Sequence, residues 1–308
     1  MRKFVFAFCV GVMAATSSPA QDEPYKNPDL SPQERADDLL KRLTLKEKIS
    51  LMQNQSPGVE RLGINKSIER EGQDRFSLEL PVDQQEFIKE LYKVNPNTVV
   101  VLVAGSSMAV NWMDENVPAI LNAWYPGEQG GNAVAEVLFG DYNPAGKLPV
   151  TFYRNVSQLP DFEDYNMTGR TYRYMQDVPL FPFGYGLSYT TFGYGKTVLD
   201  KNELTAGQSL KLTVPVTNTG KRNGEEVVQV YLRKQGDAEG PIKTLRAFKR
   251  VSIPAGKTVN VEFDLKDKEL EWWDDQSNTV RVCPGSYDIM VGGSSKEEDL
   301  QRTTVAIK

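Results

Sequence analysis

Histidine is entirely absent from the 308-residue sequence. That excludes Ser–His–Asp and Cys–His catalysis and removes the usual zinc ligand sets. Acid–base chemistry in this chain falls to carboxylates, Tyr, Lys or Arg, and nothing in the sequence implies a metal or cofactor. Cysteine is nearly as scarce, with only Cys9 and Cys283. If Cys9 leaves with a leader, Cys283 in VRVCPGSY has no partner for an internal disulfide and reads as a small buried residue. A catalytic thiol would need an activating base that is not evident. Positive charge is also in deficit. A formal net charge of −5 offers no basic field for nucleic acid. Nor is there an apolar run of the ~20 residues that a membrane-spanning helix requires.

What is present is ordinary for a globular chain, 40% hydrophobic and 25% charged. At ~150 residues per domain the length suits roughly two domains. Residues 1–20 have the pattern of a secretory signal peptide: Arg2 and Lys3, an apolar stretch over 4–15, then Ser18-Pro19-Ala20 as a small-residue cleavage site. Cleavage there would leave 34 basic against 41 acidic residues and place the mature chain outside the cytoplasm, periplasmic or extracellular.

Residues 21–64 read as a short helical segment. Leu39, Leu43 and Ile49 recur at near-helical spacing, and Thr44 with Glu47 forms a capping box for a second helix. Residues 65–195 read as α/β. Pro81 opens a helix with Phe87, Ile88, Leu91 and Val94 on one face. TVVVLVAG (98–105) and PAILNAW (118–124) are strands, and AVAEVLFG (133–140) is a helix closed by Gly140. Alternation of this kind implies a parallel sheet, yet only about two central strands are visible. Over residues 196–308 the period becomes two: Leu210, Leu212, Val214 and Val216; Val228, Val230 and Leu232; Val259, Val261, Phe263 and Leu265. With GKRNG, PAGK and PGS as turns between them, these predict a small antiparallel sandwich.

The sharpest candidate for chemistry is Glu71 in EREGQDR (69–75), a carboxyl group beside Gly72 on a polar loop. As a proton donor it needs a second carboxylate ~5–5.5 Å away for retention or ~6.5–9.5 Å for inversion. Otherwise it is a solvated residue paired with Arg70 or Arg75. Asp74 is too close in sequence to be that partner, and Asp141 and Asp164 lie in turn-like sequence. GDYNPAGKLP (140–149) fails the phosphate-loop pattern: five residues separate its glycines and Leu148 follows Lys147. GYGLSY and GYGKTV lack the third glycine of a dinucleotide loop. Trp124, Tyr125, Trp272 and Trp273 are either sugar-stacking platforms or core anchors. Asn65, Asn155 and Asn166 head Asn-x-Ser/Thr triplets, which matter only if the source glycosylates exported proteins.

The long motifs, in order, resemble glycoside hydrolase family 3, the secreted β-glucosidases and β-xylosidases. NPDLSPQERADDLLKRLTLKEKISLM is similar to the family's opening helices, and KSIEREGQDRFSLELPVDQQEFIKEL to its acid/base loop and following helix. WYPGEQGG (124–131), GDYNPAGKLPVTF and FPFGYGLSYTTF (181–192) match the rest of its α/β sandwich domain, and GRTYRY (169–174) lies between them. The tail resembles its fibronectin type III-like domain. The resemblance therefore implies a partial α/β sandwich domain followed by a β-sandwich. It also implies Glu71 as general acid/base of a retaining β-glycosidase acting on β-linked oligosaccharides or glycosides. The family's nucleophile is an aspartate on a preceding (β/α)8 barrel, and here GVERLGI ends at Ile64 and runs directly into NKSIEREGQDR. The chain looks internally truncated, so low activity or none is expected of it, with a strand at 99–103 that has lost its inner neighbours. Two alternatives are a non-catalytic carbohydrate- or partner-binding fragment and a functionless product of a truncated gene.

Overall fold

A computed structural model describes residues 6–8, 24–27, 30, 32–47, 75 and 77–308. The chain divides into two units, Met1–Val103 with Met113–Asn122, and Ala104–Trp112 with Ala123–Lys308. The EREGQDR loop up to Asp74, Ile49 and Asn65 lie outside the described residues.

In the first unit, helix α1 spans Pro32–Arg42. Asp38 ties it down by accepting from the Tyr25 amide at 3.1 Å and pairing with Arg42 at 2.7 Å. The expected capping box follows: Thr44 N donates to Glu47 Oε2 at 2.7 Å, and Glu47 N donates to Thr44 Oγ1 at 3.2 Å. Three short strands, β1 (Phe6–Phe8), β2 (Val99–Leu102) and β3 (Ala119–Asn122), form a parallel sheet in the order β1-β2-β3. The β-branched run of β2 buries Val100, Val101 and Leu102, as a strand with neighbours on both sides does. Phe6 pairs with Val99 and Phe8 with Val101, which corrects the expectation that β2 lacks a partner on that side. The apolar stretch read as part of a leader is also compatible with a short strand. Helix α2 spans Val82–Val94, with Pro81 as its N-cap, one position before the first turn. Of the four residues expected on its buried face only Ile88 is fully enclosed; Phe87 is 49% exposed and Val94, in the last turn, 87%. A six-residue helix α3, Asn111–Asn116, lies in the connection from β2 to β3.

The second unit begins its regular structure with helix α4, Gly130–Phe139, which stops where expected. Gly140 takes the left-handed conformation, φ 82°, and its amide closes on Val137 O at 3.1 Å. A largely irregular stretch follows, held by an isolated bridge between Phe152 and Phe181 and containing a one-turn helix α5, Thr171–Tyr174. The sandwich then occupies the remainder. One sheet pairs β7 (Leu210–Asn218) with β10 (Thr258–Leu265), with β4 (Phe192–Tyr194) and with β5 (Val198–Leu199). The other runs β6-β14-β13-β8-β9: Glu203–Leu204, Gln301–Ile307, Gly285–Gly292, Gly224–Lys234 and Thr244–Ile253. A hairpin, β11 (Trp272–Asp274) with β12 (Thr279–Arg281), follows the one-turn helix α6 (Asp267–Leu270).

The period-two residues do what their spacing predicts. Leu210, Leu212, Val214 and Val216 of β7 and Val228, Val230 and Leu232 of β8 share one core with Tyr287, Ile289 and Val291 of β13. At the end of β7 the buried amide of Asn218 is fully used. It accepts from Thr190 Oγ1 at 2.6 Å and Gly220 N at 3.1 Å, and donates to Arg222 O at 2.8 Å and Ile253 O at 2.9 Å.

Candidate functional site

The WYPGEQGG motif builds an aromatic corner within the second unit. Trp124 adopts φ 55°, a left-handed conformation that costs a bulky residue energy and needs surrounding structure to hold it. Its ring stands edge-on to the buried Phe152 with centroids 6.2 Å apart. Phe181 lies 6.0 Å from Phe152 and stacks on Tyr185 at 5.6 Å. The next residue, Tyr125, is 68% exposed. Its ring covers Gly105, where a Cβ would fall 2.4 Å from Tyr125 Cε2, so a side chain there would displace the ring. Trp124 and Tyr125 thus share one loop, one ring anchored and the other open to solvent.

The other two aromatic candidates separate. Trp272 is buried, donates from Nε1 to Asp237 Oδ2 at 2.6 Å and meets Tyr287 edge-on, so it is a core anchor. Trp273 is half exposed and donates to Asp275 at 2.8 Å. Cys283 is buried, as expected. Asp164 closes a local turn by accepting from Asn166 N at 2.9 Å, and that bond holds its carboxyl below the usual range. Asp141, Asn155 and Asn166 are exposed. Glu71 and Asp74 lie outside the described residues.

Sequence reasoning missed a buried charged cluster on the GKLP segment. Leu148 N donates to Tyr185 O at 2.8 Å, so GKLP runs beside GYGLSY. Lys147 then reaches inward. Its Nζ lies 3.2 Å from Glu226 Oε1 and donates to Gly186 O at 3.0 Å. Tyr194 OH donates to the same carboxylate at 3.1 Å. Burial raises the Glu226 pKa, and the opposing pull of Lys147 does not cancel it. Burial and the Glu226 charge push the Tyr194 phenol upward as well. The first partner is visible in the sequence as the lysine of GKLP, but the second is 79 residues away and only the fold unites them.

Residues 46–189 match the glycosyl hydrolase family 3 C-terminal domain, and residues 226–295 match the fibronectin type III-like domain. The chain carries the C-terminal domain of glycosyl hydrolase family 3. It is 50% identical over 236 residues to a xylan 1,4-β-xylosidase of Xylanibacter ruminicola, covering 77% of this chain and 27% of that protein. A periplasmic β-glucosidase of Salmonella typhimurium is 35% identical over 247 residues, covering 76% and 32%. The solved structure of a β-glucosidase from Erythrobacter marinus superposes with a TM-score of 0.68 at 36% identity, over 90% of this chain and 37% of that one. The chain thus spans only about a quarter to two-fifths of the length of these relatives. The aromatic corner, GDYNPAGKLP and GRTYRY all fall inside the family 3 match, as does Glu71. Among the described residues no helix is long and apolar enough to cross a membrane.

Proposed function

We propose that this chain derives from a retaining β-glycosidase that removes terminal β-xylosyl or β-glucosyl residues, with Glu71 as general acid/base, and that its own turnover is weak. The 50% identity to a xylan 1,4-β-xylosidase over most of the chain is the observation that carries this reading. In such a reaction Glu71 protonates the leaving oxygen, and the same carboxylate later draws a proton from water. Retention also needs a nucleophilic carboxylate ~5–5.5 Å from the acid. A (β/α)8 barrel takes about 200 residues or more, and no such segment lies between GVERLGI and NKSIEREGQDR, where Ile64 runs directly into Asn65. Without the nucleophile the developing positive charge at the sugar carbon has no opposing carboxylate. Purified full-length chain is expected to hydrolyse aryl β-xylosides and β-glucosides at background rates. Turnover that Glu71→Gln abolishes would overturn the impaired reading while keeping the glycosidase.

The exposed ring of Tyr125 beside the strained Trp124 favours a second reading, a carbohydrate-binding piece without turnover. Xylobiose or cellobiose would then raise the melting temperature of the chain, and Tyr125→Ala would remove the shift. No shift with either sugar rejects it.

The basic-apolar-small pattern of residues 1–20, together with a relative named as periplasmic, supports export with cleavage after Ala20. The pairing of Phe6–Phe8 with Val99–Val101 is the competing use of the same residues. Amino-terminal sequencing of the cellular protein decides between them: a start at Gln21 supports export, and retained residues 6–8 overturn it.

A further inference from the structure

Among the described residues, five buried side-chain polar atoms have no hydrogen-bond partner, and three of them belong to one place. These are Arg173 Nε, Thr244 Oγ1 and Arg246 Nε. The segments that carry them lie side by side: Ile242 N donates to Arg173 O at 2.7 Å, and Leu245 N donates to Tyr172 OH at 3.1 Å. Two backbone irregularities present the arginines. Thr171, immediately before the GRTYRY tyrosine–arginine pair, sits at φ 55°, an unfavourable conformation for a β-branched residue. Arg246 is the extra residue of a β-bulge, because Tyr231 pairs with Leu245 and Val230 with Ala247. Bulges of this kind re-aim a side chain out of the ladder.

The charges there are not balanced locally. Among the described residues neither arginine has a carboxylate within ion-pair distance; Arg246 Nη2 donates to the backbone oxygen of Glu271, and Glu269 and Glu271 act on it only from further away. Among the described residues no acceptor takes a hydrogen bond from the Arg173 guanidinium, which lies 5.5 Å from the Tyr174 ring centroid, while that of Arg246 lies 5.8 Å from the ring of Trp272. Burial lowers the Arg246 pKa, and the nearby Arg173 charge lowers it further. Two half-buried cations that repel one another, with aromatic faces beside them and donors unused, are a costly arrangement unless an anion completes it.

We propose that Arg173 and Arg246 form an anion site for a small oxyanion, carboxylate or phosphate, bridging the two guanidinium groups with Thr244 as a neighbouring donor. The planar fork of arginine matches both kinds of oxyanion. Anion binding there does not depend on the role of Glu71.

Isothermal titration of the full-length chain with inorganic phosphate and, separately, with malonate tests it at constant ionic strength. One saturable anion per chain is expected, and the tighter of the two titrants assigns the class. Arg173→Gln breaks no side-chain hydrogen bond among the described residues, so it is the first variant to use, and it should weaken binding about tenfold, as loss of one charge-assisted contact does. Arg173→Lys should recover part of that loss, and Arg246→Gln should act in the same direction. Absence of saturable binding of both anions, or binding unchanged in Arg173→Gln and Arg246→Gln with near-ultraviolet circular dichroism intact, would overturn the proposal.

Discussion

The sandwich and the parallel sheet use apolar residues to opposite effect. In the sandwich the main strands have seven to eleven residues, β7 and β10 alternate cleanly, and the inner positions of β7, β8 and β13 are closed off from water. In the parallel sheet the strands have three or four residues, and α2 leaves Phe87 and Val94 uncovered. Apolar content alone does not make a core; the number of layers that meet over it does. The difference sets where stability should reside.

Hydrogen exchange probes this contrast most directly. Amides of β7, β8 and β13 should exchange only through global unfolding, while those of β2 and β3 open locally and exchange faster by orders of magnitude. Uniformly strong protection over residues 77–194 would erase the distinction. Next in size, Leu232→Ala should cost about 3 kcal/mol in urea titration, within the usual ~2–5 kcal/mol for a buried leucine. Phe87→Ala should cost less than about 1 kcal/mol, in keeping with its exposure. Equal losses would break the comparison.

Lys147→Met sharpens it from the polar side. It strands Glu226 as a buried, uncompensated carboxylate and should cost about 3 kcal/mol, much of which Glu226→Gln in the same chain recovers. The pH dependence has a definite sign. The folded pKa of Glu226 lies above the ordinary 4.5 because of burial, so its ionisation favours unfolding. Its contribution is fully present below about 4.5 and is lost as pH rises through the raised value. Glu226→Gln should remove that decline, and parallel melting curves of both proteins across this window would refute the assignment. The smallest effect belongs to Thr171→Asn, which relieves a β-branched residue at φ 55° and should stabilise by about 0.5–1 kcal/mol.

Much of the architecture was legible wherever a local rule governs it. The alternation Leu210–Leu212–Val214–Val216 identifies a half-buried strand by period alone, and Thr44 with Glu47 and the closing Gly140 mark helix ends by chemistry confined to a few residues. What escaped was long-range. Nothing near Lys147 announces Glu226, and nothing in TLRAFKR shows that Arg246 is the bulged residue. Phe6–Phe8 illustrates true ambiguity, because an apolar stretch suits both a leader and a short strand. The four aromatic candidates could be sorted only by burial: Trp272 joined the core, and Tyr125 did not. Glu71 was singled out by its loop chemistry and by family likeness, and no opposing carboxylate could be assigned from sequence because such pairing is a property of the assembled fold.

Asn218 carries a practical lesson for anyone dissecting this protein. Its amide is satisfied partly by Thr190, and β7 is bordered by Phe192–Tyr194. A sandwich fragment started after Tyr194 would therefore keep a buried carboxamide with one of its acceptor bonds severed and an uncovered flank along β7. Cutting upstream of Thr190 retains both, so the tail of FPFGYGLSYTTF travels with the sandwich as its fastening.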